Sequence, residues 1–90
     1  MLRPKLEPSA RKFVEKRPPK HRGQIVRKIA ALCENPLPPD SKKLAGYSLY
    51  RADIGEYRIT YRVEDSVLHV YVIGKRNDDE VYKQLKRLGG

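Results

Sequence analysis

The sequence holds 90 residues, of which 39% are apolar and 34% charged, and it carries a net charge of +9 and a single cysteine. This length favours one small domain over residues 1–90, while the lone Cys33 excludes an internal disulfide and fits a reducing compartment. Because no apolar run approaches the roughly 20 residues that span a bilayer, and residues 1–12 lack a signal-peptide core, we predict a cytoplasmic protein without a membrane partner.

The first half of the chain predicts a short strand followed by two helices. Residues 2–6 favour a strand at a sheet edge, because the proline within them cannot donate a ladder hydrogen bond. Pro8 suits the first turn of a helix that runs to about Lys16, and Pro18-Pro19 interrupts the chain there. Apolar residues at helical spacing predict a second helix over residues 19–34. The two helices should form a hairpin with one apolar side.

The second half predicts three antiparallel strands, over residues 47–54, 57–64 and 67–74. Gly55-Glu56 and Asp65-Ser66 are short enough to be hairpin turns. Alternation of apolar and polar residues in the first two strands predicts a sheet with one buried and one wet face. The third strand is apolar at nearly every position and should therefore be central.

A last helix is predicted near the C-terminus, where Asn77 and Glu80 have the spacing of a capping box. Acidic residues precede basic ones along it, which suits the helix dipole. Its apolar stripe consists of Val81, Leu85 and Leu88, and the final two glycines should fray. The predicted fold class is α+β: an N-terminal helical hairpin on a mainly antiparallel sheet, in the order β-α-α-β-β-β-α.

The charge is divided unevenly between the two halves. Residues 1–46 hold twelve Lys and Arg against four Asp and Glu, a net +8, whereas residues 47–90 hold eight against seven, a net +1. Such a cationic half attracts a polyanion such as RNA, DNA or an acidic protein, unless it is only a pair of solvated helices with surplus lysines. The residues expected to bind RNA are Lys20, Arg22, Arg27, Lys28, Lys42, Lys43, Arg62 and Lys75.

Five residues of the second half suit the chemistry of RNA cleavage. Attack by the 2′-hydroxyl needs a proton acceptor, cations for the charge on the phosphate and an acid for the leaving oxygen. Arg51 and Arg58 should project from adjacent strands on one face, where Arg76 could approach them, and guanidinium groups bind phosphate in bidentate fashion. Asp53 is the better candidate for the base, and Tyr82 could stack on a base or donate a hydrogen bond.

Each of these residues also has a structural interpretation. Surface arginines on a strand usually face solvent, and Asp53 could simply pair with Arg51, Arg58 or Lys75. The strand tyrosines suit core or rim packing. The two histidines, one cysteine and scattered carboxylates have no metal-ligand spacing, so we predict neither a metal site nor a cofactor.

Two segments, KKLAGYSLYRADIGEYRITYRV and VIGKRNDDEVY, resemble the RelE/ParE superfamily of small bacterial toxins, and most closely its RelE-type mRNA interferases. The resemblance covers nearly the whole chain and implies a RelE-like, microbial-ribonuclease-like fold. It further implies a toxin of a type II toxin–antitoxin system: a ribosome-dependent endoribonuclease that cuts mRNA in the A site by 2′-hydroxyl attack and so inhibits translation. The implied partners are an acidic antitoxin, the ribosome with its mRNA, and operator DNA only through the antitoxin complex.

The resemblance also implies roles for individual residues. Arg58 matches the arginine that holds the scissile phosphate, Arg76 the one that assists the leaving group, and Tyr82 the tyrosine that orients or stacks the nucleotide. Arg51 falls where RelE-like proteins carry a basic residue. Asp53 departs from the pattern, because its position matches a lysine or arginine. A carboxylate there either repels the phosphate or serves as the base.

Two other functions fit the same sequence. A ParE-like poison of DNA gyrase would share the fold and cut no RNA, although the Gly74-Lys75-Arg76 step followed by Tyr82 favours the RelE type. Alternatively, the chain is a catalytically weak homologue that retains antitoxin pairing and operator binding, and Asp53 favours this hypothesis. The nuclease requires that Arg58 and Arg76 point to the same side, and that Tyr82 is not locked in the interior.

Overall fold

A computed structural model describes residues 1–44, 46–77 and 80–87, and it confirms the predicted α+β class. Three helices and five strands occupy this part of the chain. In chain order these are β1 (Arg3–Leu6), α1 (Pro8–Glu15), α2 (Pro19–Glu34), β2 (Lys42–Lys43), β3 (Tyr50–Ile54), β4 (Tyr57–Glu64), β5 (Val67–Lys75) and α3 (Glu80–Arg87).

The five strands form one sheet in the order β1-β5-β4-β3-β2. β1 lies at the edge, as its proline predicts, and pairs in parallel with β5, whereas the other pairings are antiparallel. β5 is interior as predicted, but β4 occupies the middle. The sequence did not predict β2, and β3 begins at Tyr50 rather than at residue 47, because the backbone closes a turn between Leu44 and Leu49.

Both predicted hairpin turns are present, and they set the register of the central strands. Gly55 has a φ of +57°, which glycine adopts without steric cost. Asp65 and Ser66 both have positive φ, at +51° and +65°, as the two central residues of a type I′ turn require. With a two-residue loop between β3 and β4, Asp53 lies opposite Arg58.

α1 and α2 cover one face of the sheet, which we call the hairpin face. Two large tyrosines, Tyr57 and Tyr61, are fully buried there with their hydroxyls satisfied. The Tyr57 hydroxyl lies 2.6 Å from His21 Nδ1, and the Tyr61 hydroxyl donates to the Pro36 carbonyl at 2.6 Å. The buried core of this face consists of Ala10, Val14, Ile25, Ile29, Leu32, Cys33, Ala52, Tyr57, Ile59, Tyr61, Leu68, Val70 and Ile73.

The opposite face, which we call the α3 face, is not the wet face that the alternation predicts. α3 packs on it over a second buried cluster: Leu44, Leu49, Val72, Val81 and Leu85. A β-bulge between Thr60 and Tyr61 shifts the register with β5, so that Tyr71 and Val72, although consecutive, both join this cluster. Thr60 is completely buried at the bulge, where its hydroxyl donates to the Val72 carbonyl and accepts from the Val72 N–H.

Gly74 sets how closely α3 approaches the sheet. A Cβ at this position would lie 2.8 Å from Val81 Cγ2, so that only a glycine leaves room for the helix. Val81 and Leu85 are buried as predicted, while Leu88, the final glycines and the Asp78-Asp79 part of the proposed helix start lie outside the described residues. Lys86 and Arg87 in the last turn suit the helix dipole.

Candidate active site

Arg58 is the centre of a polar cluster where β3, β4 and α3 meet. Its Nε donates to Asp53 Oδ1 at 2.9 Å and its Nη2 to Asp53 Oδ2 at 3.3 Å. Its Nη1 donates to the Tyr82 hydroxyl at 3.1 Å. Asp53 reaches Arg58 because the two residues are cross-strand partners, and Tyr82 reaches it because α3 docks at Gly74. The structure therefore brings Asp53, Arg58 and Tyr82 into direct contact.

The cluster is partly shielded from water, which strengthens its electrostatics. The Arg58 side chain is 15% exposed and that of Asp53 is 27% exposed. The hydrogen bond to Asp53 raises the pKa of the Arg58 guanidinium, although burial acts in the opposite direction. Arg58 is thus a permanent cation and cannot accept a proton.

Arg51 is the fourth member of the cluster. Its Nη1 lies 3.9 Å from Asp53 Oδ2, so that one carboxylate lies between two guanidinium groups. Arg51 is opposite Thr60 in the register, which places it on the α3 face, the same face as Arg58, as predicted. Together Arg51, Asp53 and Arg58 carry a net charge of +1 and can still attract an anion.

Arg76 lies just beyond the end of β5, two residues after Gly74, the cross-strand partner of Arg58. Its backbone N–H donates to the Glu56 carbonyl at 3.0 Å, which holds the end of β5 beside the β3–β4 turn. Its side chain is exposed, and no hydrogen bond or ion pair joins it to Arg58 within the described chain. Since two guanidinium groups do not bond to each other, the approach of the Arg76 side chain to the other arginines stays a prediction.

The eight residues predicted to bind RNA are in different states. Lys28 is paired with Asp40 at 2.8 Å, and Arg62 is paired with Glu64 at 2.8 Å while its guanidinium lies over the Tyr71 ring. The Arg62 Nε is buried and has no hydrogen-bond partner among the described residues. The remaining six are exposed and unpaired within the described residues: Lys20, Arg22 and Arg27 on α2, Lys42 and Lys43 on the edge strand β2, and Lys75 at the end of β5.

Sequence reasoning missed two residues that support the cluster. Thr60 fixes the bulge beside Arg51, and Gly74 admits α3 and with it Tyr82. Thr60 stands at a polar position of the alternating pattern in β4, so no sequence signal marked the first as buried. A glycine within a strand often marks the close approach of another backbone, and Gly74 carried that signal.

The histidines are engaged elsewhere. His69 lies 2.8 Å from a Glu7 carboxylate oxygen and stacks on Tyr71 at 4.4 Å, while His21 contacts Tyr57 on the hairpin face. Across residues 1–44, 46–77 and 80–87, no three His, Cys, Asp or Glu side chains are grouped closely enough to hold a metal ion. In the same ranges, no helix combines the length and apolar character needed to cross a membrane.

Comparisons with known proteins give one matching toxin family and several similar toxin structures. Residues 6–80 match a family model described as the ParE toxin of type II toxin–antitoxin systems, parDE. No curated relative matches at a significant level.

Among solved structures, the isolated E. coli RelE toxin is 26% identical with a TM-score of 0.74, covering 98% of this chain and 99% of that one. The archaeal RelE–RelB complex of Pyrococcus horikoshii is 29% identical with a TM-score of 0.74, covering 83% and 94%. The intact E. coli RelBE toxin–antitoxin complex is 26% identical with a TM-score of 0.72, covering 83% and 96%.

Proposed function

Since this chain belongs to the ParE toxin family of type II toxin–antitoxin systems, we propose that it is a ribosome-dependent endoribonuclease that cuts mRNA in the A site. The observation that carries this proposal is the contact between Arg58 and Tyr82, which places a phosphate-binding cation against a phenol. The similarity to RelE over 98% of the chain supports it.

In the proposed reaction, the 2′-oxygen of one nucleotide attacks the adjacent phosphorus and loses its proton to solvent water. The bond from phosphorus to the 5′-oxygen breaks, leaving a 2′,3′-cyclic phosphate and a 5′-hydroxyl. Arg58 would stabilise the negative charge that builds on the phosphate oxygens, with Arg51 beside it. Because the Tyr82 hydroxyl accepts a hydrogen bond from Arg58, its own proton is free to be donated to the leaving 5′-oxygen.

The remaining cations would hold the substrate. We propose that Arg76 and Lys75 contact phosphates next to the cleaved one, since both are exposed at the end of β5 near the cluster. The unpaired cations of α2 and β2 would bind ribosomal RNA. A small site with few phosphate contacts explains why free RNA would be a poor substrate and why the ribosome is needed.

The proposed partner is an acidic antitoxin. The net charge of +9 favours an acidic protein, and two of the similar structures are complexes of RelE with RelB. We propose that this complex forms in the cytoplasm and that operator DNA is bound only through the antitoxin. A short acidic reading frame next to this one in the genome would support the pairing.

Cleavage on programmed ribosomes tests the function. Purified ribosomes carrying a defined mRNA are incubated with the protein, and the cut is mapped by primer extension. We expect a single cut in the A-site codon, lost by about 10² or more in Arg58→Ala and weakened in Arg76→Ala. Arg11→Ala is the matched control, because Arg11 is an exposed arginine on α1 outside the proposed site. Equal cutting by wild type and Arg58→Ala would contradict the proposal.

A second candidate, a ParE-like poison of DNA gyrase, is favoured by the family model itself, which describes a ParE toxin. Double-strand DNA breaks in expressing cells, with mRNA intact, would support it. A third, the catalytically weak homologue, is favoured by the ion pair that offsets the charge of Arg58. Wild-type expression without effect on growth, translation or DNA would support that one.

A further inference from the structure

We propose that Asp53 is a positioning residue that holds Arg58 by one edge and leaves its other edge for the substrate phosphate. This inference deepens the proposed nuclease function and rests on it. It differs from the two roles in the reaction that the sequence left open for Asp53, repulsion of the phosphate and service as the base, and it gives a function to the pairing that the sequence also allowed.

The count of hydrogen bonds on Arg58 carries the proposal. A guanidinium has five N–H donors in a fixed plane. Asp53 accepts one from Nε and one from Nη2, and Tyr82 accepts one from Nη1. One N–H therefore remains on each terminal nitrogen, which leaves two donors for the oxygens of a phosphate. The carboxylate and the phosphate would lie at different edges of the same guanidinium.

The fold makes Asp53 a rigid support. Asp53 and Arg58 are direct cross-strand partners beside the two-residue turn at Gly55-Glu56, so the strand register fixes their separation. Arginine has many rotamers in water, and the ion pair restricts them before substrate binds. With 15% of its side chain exposed, Arg58 is held by contacts on most sides.

A role as the base conflicts with these contacts. Both carboxylate oxygens of Asp53 accept hydrogen bonds from Arg58. A proton transferred to either oxygen would weaken the ion pair and release Arg58 while negative charge develops on the phosphate. Simple repulsion is also a poor description, because Arg51, at 3.9 Å, and Arg58 together outweigh the single carboxylate charge.

Three variants separate positioning from the other roles. Asp53→Asn removes the charge and one acceptor, Asp53→Glu keeps the carboxylate, and Asp65→Asn is the matched control. Asp65 is exposed at the far turn with a φ of +51°, which asparagine tolerates, so the control makes the same change in charge without strain. All three are first checked for folding by circular dichroism and thermal melting.

Single-turnover cleavage on programmed ribosomes is the first measurement. We expect Asp53→Asn to lower the maximal rate by about 10- to 100-fold with a smaller change in KM, since misplacement of a catalytic group by about 1 Å can cost 10²-fold. Asp53→Glu should recover part of the rate, and Asp65→Asn should cut like wild type. Faster cutting by Asp53→Asn would overturn positioning in favour of repulsion, and unchanged cutting would overturn it altogether.

A double-mutant cycle with Arg58→Lys gives the second measurement. Lysine cannot be held along an edge as a guanidinium is, so Asp53→Asn should cost little or nothing in the Arg58→Lys background. If the two effects multiply as independent changes, positioning through Arg58 is excluded.

NMR of the free protein is the third measurement, and it does not depend on cleavage. We expect the Arg58 Nε–H signal to be hydrogen-bonded and slow to exchange in wild type and Asp65→Asn, and to exchange rapidly in Asp53→Asn. If the Arg58 Nε–H signal exchanges equally slowly in wild type and Asp53→Asn, the proposal is overturned, whether or not the protein cuts RNA. If wild type leaves mRNA intact while the NMR result is as expected, the nuclease fails and the support of Arg58 by Asp53 remains.

Discussion

The two faces of the sheet are both covered, but to different extents. The hairpin face lies under helices of 8 and 16 residues and holds the larger core. The α3 face lies under a single helix of 8 residues, whose buried cluster covers only part of it. Side chains at the margin of that cluster, including Arg58 and Asp53, are anchored by packed neighbours and still reach solvent.

One strand, β4, contributes side chains to both faces of the sheet. In β4, Tyr57, Ile59 and Tyr61 pack into the hairpin core, while the residues between them, Arg58 and Thr60, face α3. The helices that cover the hairpin face stabilise the fold. The shorter α3 leaves part of the opposite face open, so that the same strand holds a rigid site that a ligand can reach. Substitutions on the hairpin face should therefore change stability first, and those on the α3 face should change activity first.

Removing core volume on the hairpin face should have the largest effect on stability. Ile59 is 0% exposed, so Ile59→Ala should lower the free energy of unfolding by about 2–5 kcal/mol through lost burial and a cavity. Urea denaturation measures it. Val63→Ala is the control on the same strand, since Val63 is 45% exposed and should cost under about 0.5 kcal/mol. Cleavage per folded molecule should be unchanged in both, and a specific loss in Ile59→Ala would show that the two faces are coupled.

Crowding the α3 face should have an intermediate effect on stability and a large one on activity. In Gly74→Ala the new Cβ would meet Val81 Cγ2 at 2.8 Å, so that α3 must shift at a cost of about 1–3 kcal/mol. Tyr82 moves with the helix and loses its contact with Arg58. Thermal melting and ribosomal cleavage measure the two effects.

The double variant Gly74→Ala/Val81→Ala is the control for this prediction. It restores space at the contact, and cleavage should recover in part. If Gly74→Ala melts and cuts like wild type, the close contact at Gly74 does not set the position of Tyr82.

Removing only the phenol oxygen of Tyr82 should change stability less. Tyr82→Phe keeps the ring in the α3 cluster and loses one partly exposed hydrogen bond, so the free energy of unfolding should fall by about 1 kcal/mol or less. Cleavage should fall by about 10²-fold if the phenol proton is donated in the reaction. A normal rate in Tyr82→Phe would reduce the role of this residue to stacking, and Tyr82→Leu would then show the loss.

Much of this arrangement was predictable where a local rule applies. Prolines and helical spacing predicted the bounds of α2, which runs from Pro19 to Glu34. The two-residue turn at Gly55-Glu56 fixed the register of β3 and β4, and it thereby placed Arg51 and Arg58 on one face. The family resemblance predicted the roles of the candidate site residues on that face.

Other features depend on contacts that no local rule specifies. The run Val70-Tyr71-Val72-Ile73 is apolar throughout, so its sequence does not show which residues face α3, and the bulge decides this. β2 has two residues and no pattern. The sequence offered Asp53 three cations as partners, and the strand register places it on Arg58 and within 3.9 Å of Arg51.

Alkaline pH should have the smallest effect on stability, and it should act through buried tyrosines of the hairpin face. Burial raises the pKa of Tyr57 and of Tyr61 above their usual value of 10.0. The folded protein therefore keeps these protons at a pH where the unfolded chain releases them, so the free energy of unfolding falls as pH rises from about 10 through the raised values. Each group contributes at most about 1.4 kcal/mol per pH unit.

Tyr61→Phe tests this prediction through the slope of the free energy of unfolding against pH, rather than through its value at one pH. The variant loses the hydrogen bond to the Pro36 carbonyl at every pH, which lowers its stability by a constant amount. It also loses one titrating group, so its free energy of unfolding should fall less steeply than that of wild type between pH 9 and 11. Burial also raises the pKa of the Cys33 thiol, but this group is common to both proteins and cancels in the difference. Equal slopes would mean that Tyr61 is solvated in the folded state and that the hairpin face is less completely covered than its packing indicates.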